Sequence, residues 1–242
     1  MDIQKKIASV IVAAKNNHYD PVICVEKAAN AVPLLLDWIP PDASIEGAGS
    51  ISVAQIGILD RLRERGNQFS APGAELTEKG ITRKDVLLVS SNAVTLDGKF
   101  VNIDGMGNRV TGMIYGVQKV ILLIGANKIV RDVPEALERV QQVIAPYHAQ
   151  CLGMKTPCAA TGVCADCNVP HRICNITTII SKRPPSVDFS IIISKEDLGL
   201  GWDPAWPEER IEKIKVAYRT EMEKFLATLP KNQHEQAPGA AK

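Results

Sequence analysis

Four of the six cysteines fall between Cys158 and Cys174, spaced C-x5-C-x2-C-x6-C. The close Cys164–Cys167 pair has the separation that lets two thiolates face one ion or cluster. Gly162 and Pro170 interrupt regular structure between the sulfurs, as a chain wrapping round a metal requires. Clustered cysteines in a reducing compartment are metal ligands more often than disulfides. Cys158, Cys164, Cys167 and Cys174 are therefore the expected ligand set. Structural zinc usually uses two C-x2-C knuckles, and one is present here. That favours an iron–sulfur cluster, of the 4Fe–4S type, with zinc as the alternative. His171 is a possible substitute ligand or a solvated loop residue, and Asp166 sits inside the knuckle. Cys151 is an alternate ligand, and Cys24 is expected on a helix with its side chain in the core.

A second group of residues suits a small anion. Three polar turns follow apolar strand-like runs: Gly47–Ser52, Ser90–Thr95 and Gly125–Lys128. In an open parallel sheet, loops at the carboxyl ends of strands line the ligand crevice. A fourth turn, Asn102–Arg109, leaves a short strand. Gly47, Gly49 and Gly105 let backbone N–H groups approach a ligand. Ser50, Ser52, Ser91, Asn92, Thr95, Asn102 and Asn108 offer hydroxyls and amides. Arg109 and Lys128 offer positive charge. Asp104 or Asp97 is the candidate proton-transfer group, because a carboxylate near basic groups serves as a base. Each of these residues also has an ordinary role in turns, where Asn, Asp and Ser satisfy backbone groups.

The elements that must position these groups alternate between helix and strand. Ile3, Ile7, Val10, Ile11 and Ala14 recur at helical spacing. Asp20-Pro21 reads as the cap and first position of a second helix running to about Trp38, kinked or ended early by Pro33. A short strand over Ser44–Glu46 enters the first glycine turn, and a helix with Val53, Ile56, Leu59 and Leu62 on one face follows. Residues 66–84 read as a loop or mobile segment. Asp85–Ser90 and Lys119–Ile124 are buried-type strands, with an Asp97-Gly98 hairpin turn between them leading into a strand over Phe100–Ile103. A helix from Asp132 is closed by Pro146. The cysteine segment, 147–175, shows no periodicity. Thr177–Ile180 and Asp188–Ile193 are strands, and the last helix carries Ile211, Ile214, Tyr218, Phe225 and Leu226 on its apolar face.

The expected fold is therefore α/β, a mostly parallel sheet flanked by helices with a cysteine-rich metal-binding insertion. The expected organisation is N-terminal helices over 1–40 packed on the core, an α/β domain over 41–205, a C-terminal helix over 206–230 and a disordered tail over 231–242. With 45% hydrophobic residues the chain can build a real core. A formal charge of +1 and 5% aromatics give no case for a nucleic-acid partner. No run of about 18 apolar residues is present to span a bilayer, and the first apolar stretch reads as a helix rather than a signal peptide. The expected location is cytoplasmic, and a homodimer is the base-rate expectation.

Long stretches of the chain resemble one family. Ser90 through Arg109, then Gly125-Ala-Asn-Lys-Ile-Val130, then Thr156-Pro-Cys-Ala-Ala-Thr-Gly-Val-Cys-Ala-Asp-Cys167 with His171-Arg-Ile-Cys-Asn175 resemble the LUD-domain proteins, named for lactate utilisation. The resemblance covers roughly residues 5–200. It implies the fold of the superfamily of glucosamine-phosphate isomerase, ribose-phosphate isomerase and CoA transferase. The Thr95-x-Asp97-Gly98…Asn102…Gly105 run is similar to the ligand loop of its sugar-phosphate isomerases. The family is associated with lactate oxidation by subunits that carry iron–sulfur clusters. Those clusters typically sit on C-x2-C-x2-C-x3-C repeats, which this chain lacks, so its four-cysteine segment resembles a stand-alone branch. Three functions follow as expectations. One is a cluster protein that acts on, or passes electrons for, a small carboxylate or phosphorylated metabolite, with a possible redox partner subunit. The second is an isomerase- or acyl-transferase-like enzyme with structural zinc. The third is a non-enzymatic sensor or assembly subunit.

Overall fold

The computed structural model describes residues 2–47, 49–70, 75–77 and 80–228, and at 47, 75–77 and 80–82 the backbone alone. The expected tail over 231–242 lies outside the described residues.

The N-terminal helix α1 (Ile3–Asn16) begins where the Asp2 carboxylate accepts the Gln4 N–H, and it buries Ile7, Val10 and Ala14 at helical spacing. The chain then departs from expectation. Val22–Val25 is a strand, β1, reached through a cis Asp20–Pro21 bond, and not the start of a second helix. Cys24 accordingly lies on a half-buried strand. The β-branched Val22, Ile23 and Val25 suit a pleated edge and outweigh the capping look of Asp-Pro. The helix α2 (Ala31–Trp38) starts later and holds Pro33 in its first turn, where no N–H is required, so Pro33 neither kinks nor ends it. Residues 1–40 thus contribute a strand to the sheet as well as helices.

The strand β2 (Ser44–Gly47) leads into α3 (Ile51–Ala54) and α4 (Ile58–Glu64), separated by Gly57 in the left-handed region. The single helix expected here is two pieces. The segment read as a loop contains β3 (Gln68–Ser70) and a hairpin of β4 (Glu75–Thr77) with β5 (Gly80–Thr82). These strands are three residues each, too short for alternation to show in the sequence. There follow β6 (Lys84–Val89), β7 (Ala93–Thr95), β8 (Phe100–Asp104), α5 (Asn108–Thr111), β9 (Val117–Gly125) and β10 (Ile129–Val130).

The next helix does not stop at Pro146. It runs from α6 (Val133–Arg139) through one wide turn at Val140–Ile144 into α7 (Ala145–Cys151). A wide turn relaxes the hydrogen-bond ladder just ahead of a proline, which has no N–H to give it. A short α8 (Pro157–Thr161) opens the cysteine segment, and β11 (Ile176–Ile180), β12 (Asp188–Ser194) and α9 (Glu208–Thr228) complete the chain.

Six strands form one wholly parallel sheet in the order β1-β12-β9-β6-β2-β3. Its inner strands are apolar on both faces. Val120, Leu122 and Ile124 of β9 join the core beneath α1, while Ile121 and Leu123 join the core beneath α2 and α4. All five are fully buried, each contributing about 1.5–3 kcal/mol of transfer free energy. A second sheet, β10-β7-β8-β11, is mixed. Its other face packs on the α6–α7 helix and α9 through Val101, Val140, Ile144 and Tyr218.

Candidate functional site

Turns after β2, β6 and β9 meet at the carboxyl edge of the parallel sheet around a cavity of about 300 Å3. Gly49, Ser50 and Ser52 line it from the first turn, Asn92 and Ser90 from the second and Lys128 from the third. Asp104, Gly105, Asn108 and Arg109 enter from the end of β8 and from α5. The α6–α7 helix closes one side with Val140, Ile144, His148 and Leu152, which recur every four residues and so share a face. Tyr218 of α9 stands beside His148.

The polar groups are held by one another before any ligand arrives. The Lys128 Nζ donates to Ser90 Oγ at 3.0 Å and to the Ser91 carbonyl at 2.9 Å. Burial, and then the nearby Arg109 charge, brings its pKa down to about 7. Arg109 donates to Asn92 Oδ1 at 3.2 Å and to the Ile103 carbonyl. Its Nε, 3.8 Å from Asp104 Oδ2, is buried without a hydrogen-bond partner. Asp104 accepts N–H groups from Met106 at 3.0 Å and Gly107 at 2.8 Å on one oxygen, and from Val110 at 3.3 Å on the other. Its carboxylate therefore ties down the turn that carries Arg109. His148 Nδ1 and the Tyr218 hydroxyl are 2.7 Å apart. Burial, then Arg109, pushes the histidine down to about 4, and burial pushes the tyrosine up.

Two expected ligand residues stand behind this wall. Ser91 Oγ bonds Asn102 Oδ1 at 3.1 Å, and Asn102 Oδ1 also accepts the Asn92 N–H at 3.2 Å. Both are fully buried and shape the turn that presents Asn92. Thr95 and Asp97 lie elsewhere. The hairpin runs away from Asn92 along β7 and returns along β8, so its turn sits a full hairpin length from the cavity. There the Asp97 carboxylate meets Lys99 Nζ at 2.5 Å and takes the Thr95 hydroxyl, while Asn17 Nδ2 of the chain after α1 donates to the Asp97 carbonyl at 2.9 Å. Hydrogen bonds from Lys99, then Thr95, hold the Asp97 carboxyl below the usual range. Gly47 ends β2, short of the cavity wall.

Sequence reasoning passed over His148, Tyr218 and Gly199. Ending the helix at Pro146 hid the four-residue recurrence that carries His148, and Tyr218 read as one more apolar position of the last helix. Gly199, at φ +64°, packs against the cavity residues so closely that a Cβ there would stand 2.2 Å from Ser52 Oγ and 3.1 Å from Lys128 Nζ. Asn127 holds this loop, accepting the Leu198 N–H at 2.9 Å and donating to the Gly201 carbonyl at 3.0 Å.

A second cavity, of about 270 Å3, lies behind the first. Cys158, Cys164, Cys167 and Cys174 all line it, together with Asp166 and Arg172. None is in a disulfide and each is half-buried. Arg172 gathers the loop: it donates to the Cys167 carbonyl at 2.7 Å and the Cys174 carbonyl at 3.2 Å, and pairs with Asp166 at 2.9 Å. Asp166 takes a left-handed φ of +42° in the knuckle, a conformation Asp tolerates. Burial pushes the Cys174 thiol up, and Cys164 and Cys167 are near enough to act on its charge. Among the described residues no three His, Cys, Asp or Glu side chains are grouped so as to hold a metal ion, so the expected metal-binding insertion is not seen as a closed ligand set. Cys151 and His171 do not line this cavity.

Ile103 and Ala145 line both cavities and form a shared wall. Ile173, next to Cys174, lines the first. Gly105 permits the join: a Cβ there would stand 3.2 Å from the Ile173 carbonyl. Asn175 Nδ2 fastens it by donating to the Gly105 carbonyl at 3.0 Å.

A family model described as the LUD domain matches residues 7–194. No curated protein matches the chain. Among solved structures, a DUF162 family protein from Deinococcus radiodurans aligns at 12% identity with a TM-score of 0.47, over 80% of this chain and 99% of that one. Among the described residues no helix is long and apolar enough to cross a membrane.

Proposed function

We propose, from the premise that this chain belongs to the LUD-domain family, that it binds a small anionic metabolite at the strand ends and acts on it, or passes electrons for it, beside an iron–sulfur cluster. The observation that carries this reading is the shared wall. A cavity lined by Arg109 and Lys128 and a cavity lined by four free cysteines are separated by Ile103 and Ala145.

The donor set fits such a group. Four thiols round one cavity supply the ligands a 4Fe–4S cluster takes. Zinc, the alternative, takes the same four thiolates round a single ion. Cys158, Cys164, Cys167 and Cys174 would hold the cluster, which when bound supplies one-electron transfer. Around the anion, this chain's own residues bind and orient. Arg109 and Lys128 attract negative charge in a site where burial strengthens the attraction. Asn92 and Ser50 present an amide and a hydroxyl to orient the ligand. Asp104 positions Arg109; with both oxygens already accepting N–H groups, it serves the site as an anchor. His148 stays neutral at physiological pH, which suits it to take or give a proton opposite Tyr218.

Anaerobic purification with an absorbance spectrum and iron, sulfide and zinc analysis tests the cluster. The expected result is a brown protein with iron and sulfide in equal amounts. A colourless protein with one tightly bound zinc would remove that half of the reading. Thermal shift with oxalate and phosphate tests the anion site, and Arg109→Ala is expected to abolish the stabilisation that the wild type shows.

A further inference from the structure

We propose that Lys128 is an attachment point for substrate: its amine condenses with the carbonyl of a small 2-oxo carboxylate whose carboxylate group rests against Arg109. The proposal rests on the small-anion reading of the cavity and names the substrate class.

The geometry carries it. Lys128 is 5% exposed and lines the cavity. Its Nζ is positioned by two oxygen acceptors, Ser90 Oγ and the Ser91 carbonyl. A neutral amine satisfies both with its two hydrogens and keeps its lone pair for the cavity. The charge that bears on Lys128 is the Arg109 guanidinium and not a carboxylate. A lysine that is desolvated beside another cation is one activated for attack on carbonyls. A pKa near 7 leaves a useful share of free amine at neutral pH. Access depends on Gly199, since any side chain there would crowd both Ser52 Oγ and Lys128 Nζ. Arg109 lines the same cavity, and its guanidinium is the cation there to receive the carboxylate of the same molecule.

The step balances without an oxidant. The amine nitrogen adds to the carbonyl carbon, and a C=N bond replaces C=O. The carbonyl oxygen leaves as water with both amine hydrogens. A further proton on the imine nitrogen gives the iminium, which draws electrons from the bond next to the former carbonyl. The neutral His148 lies in the same cavity to receive a proton.

The test is reductive trapping. Anaerobically purified protein is incubated with glyoxylate, pyruvate or 2-oxoglutarate and cyanoborohydride, then mapped by peptide mass spectrometry. The expected result is one adduct, concentrated on Lys128, blocked by oxalate and lost in Lys128→Arg, which keeps the charge. Oxalate protection in the wild type keeps the test decisive where Lys128→Arg does not fold. Adducts spread over surface lysines, with Lys128 unmodified, overturn the proposal. No adduct, with an Arg109-dependent oxalate shift intact, overturns covalent attachment and leaves the anion site standing. No adduct and no shift overturn both.

Discussion

The two cavities on either side of Ile103 and Ala145 are built in opposite ways. The first is assembled from strand ends and a helix face. Its polar groups are bonded to the scaffold: Asp104 to three backbone N–H groups, Lys128 to Ser90 and Ser91, Asn92 to Ile103 and Arg109. The second is lined mostly by an irregular segment whose one helix spans five residues, with a single arginine gathering two of its carbonyls. Its four cysteines line one cavity, half-buried and free of disulfides. A preorganised cavity takes its shape from the core, whereas a loop of free thiols has little beyond Arg172 to fix its shape.

The largest effect expected of this contrast is at the cysteines. Cys164→Ser should remove all bound metal and leave residues 152–175 the first site of proteolytic cleavage, with the remainder of the domain intact. Full metal content in the variant would break the comparison, because the four-thiol set would then be wrong. A smaller effect is expected behind the first cavity. Asn102→Ala strips the acceptor that holds Ser91 and the Asn92 N–H, and should cost about 1–3 kcal/mol in urea unfolding while weakening anion binding. An unaltered midpoint would show that the strand-end turns are not held as described.

Acid sharpens the contrast further. Unfolded His148 takes a proton near its ordinary 6.5, whereas the folded chain holds it off to about 4. Between those values the unfolded state carries more protons, so stability should fall as pH drops through that window. The half-buried ring limits the loss to about 1–2 kcal/mol, and His148→Gln should flatten that part of the stability profile. A slope unchanged in the variant would place the acid sensitivity elsewhere. The smallest effect is expected at Asp97→Asn, outside both cavities: about 0.5–1 kcal/mol in stability from a mostly exposed ion pair, and no change in anion affinity. Altered affinity would mean that the hairpin turn communicates with the site.

Much of the site could be read from the chain because it is built from local signals. Polar residues directly after apolar strands fall at the carboxyl edge of a parallel sheet, so Ser50, Asn92 and Lys128 were legible. The same rule misplaced Thr95 and Asp97, since a hairpin carries its turn away from the edge where it began. His148 and Tyr218 were not legible as a pair. They are 70 residues apart and meet only because α9 packs across the α6–α7 helix. Pro146 misled as a stop, because one wide helical turn absorbs it.

By itself the sequence determined the alternation of strand and helix, the buried identity of β6, β9 and β12, the glycine and serine turns, and the clustering of four thiols. These are properties of spacing and side-chain chemistry over a few residues. Tertiary structure alone decided that β1 is a strand of the sheet, that Asp104 anchors Arg109, and that Lys128 sits buried beside a second cation. It also decided that the cavity lined by the cysteines shares Ile103 and Ala145 with the strand-end cavity. Each depends on which elements pack together, and a pattern of periods and turns does not contain that information.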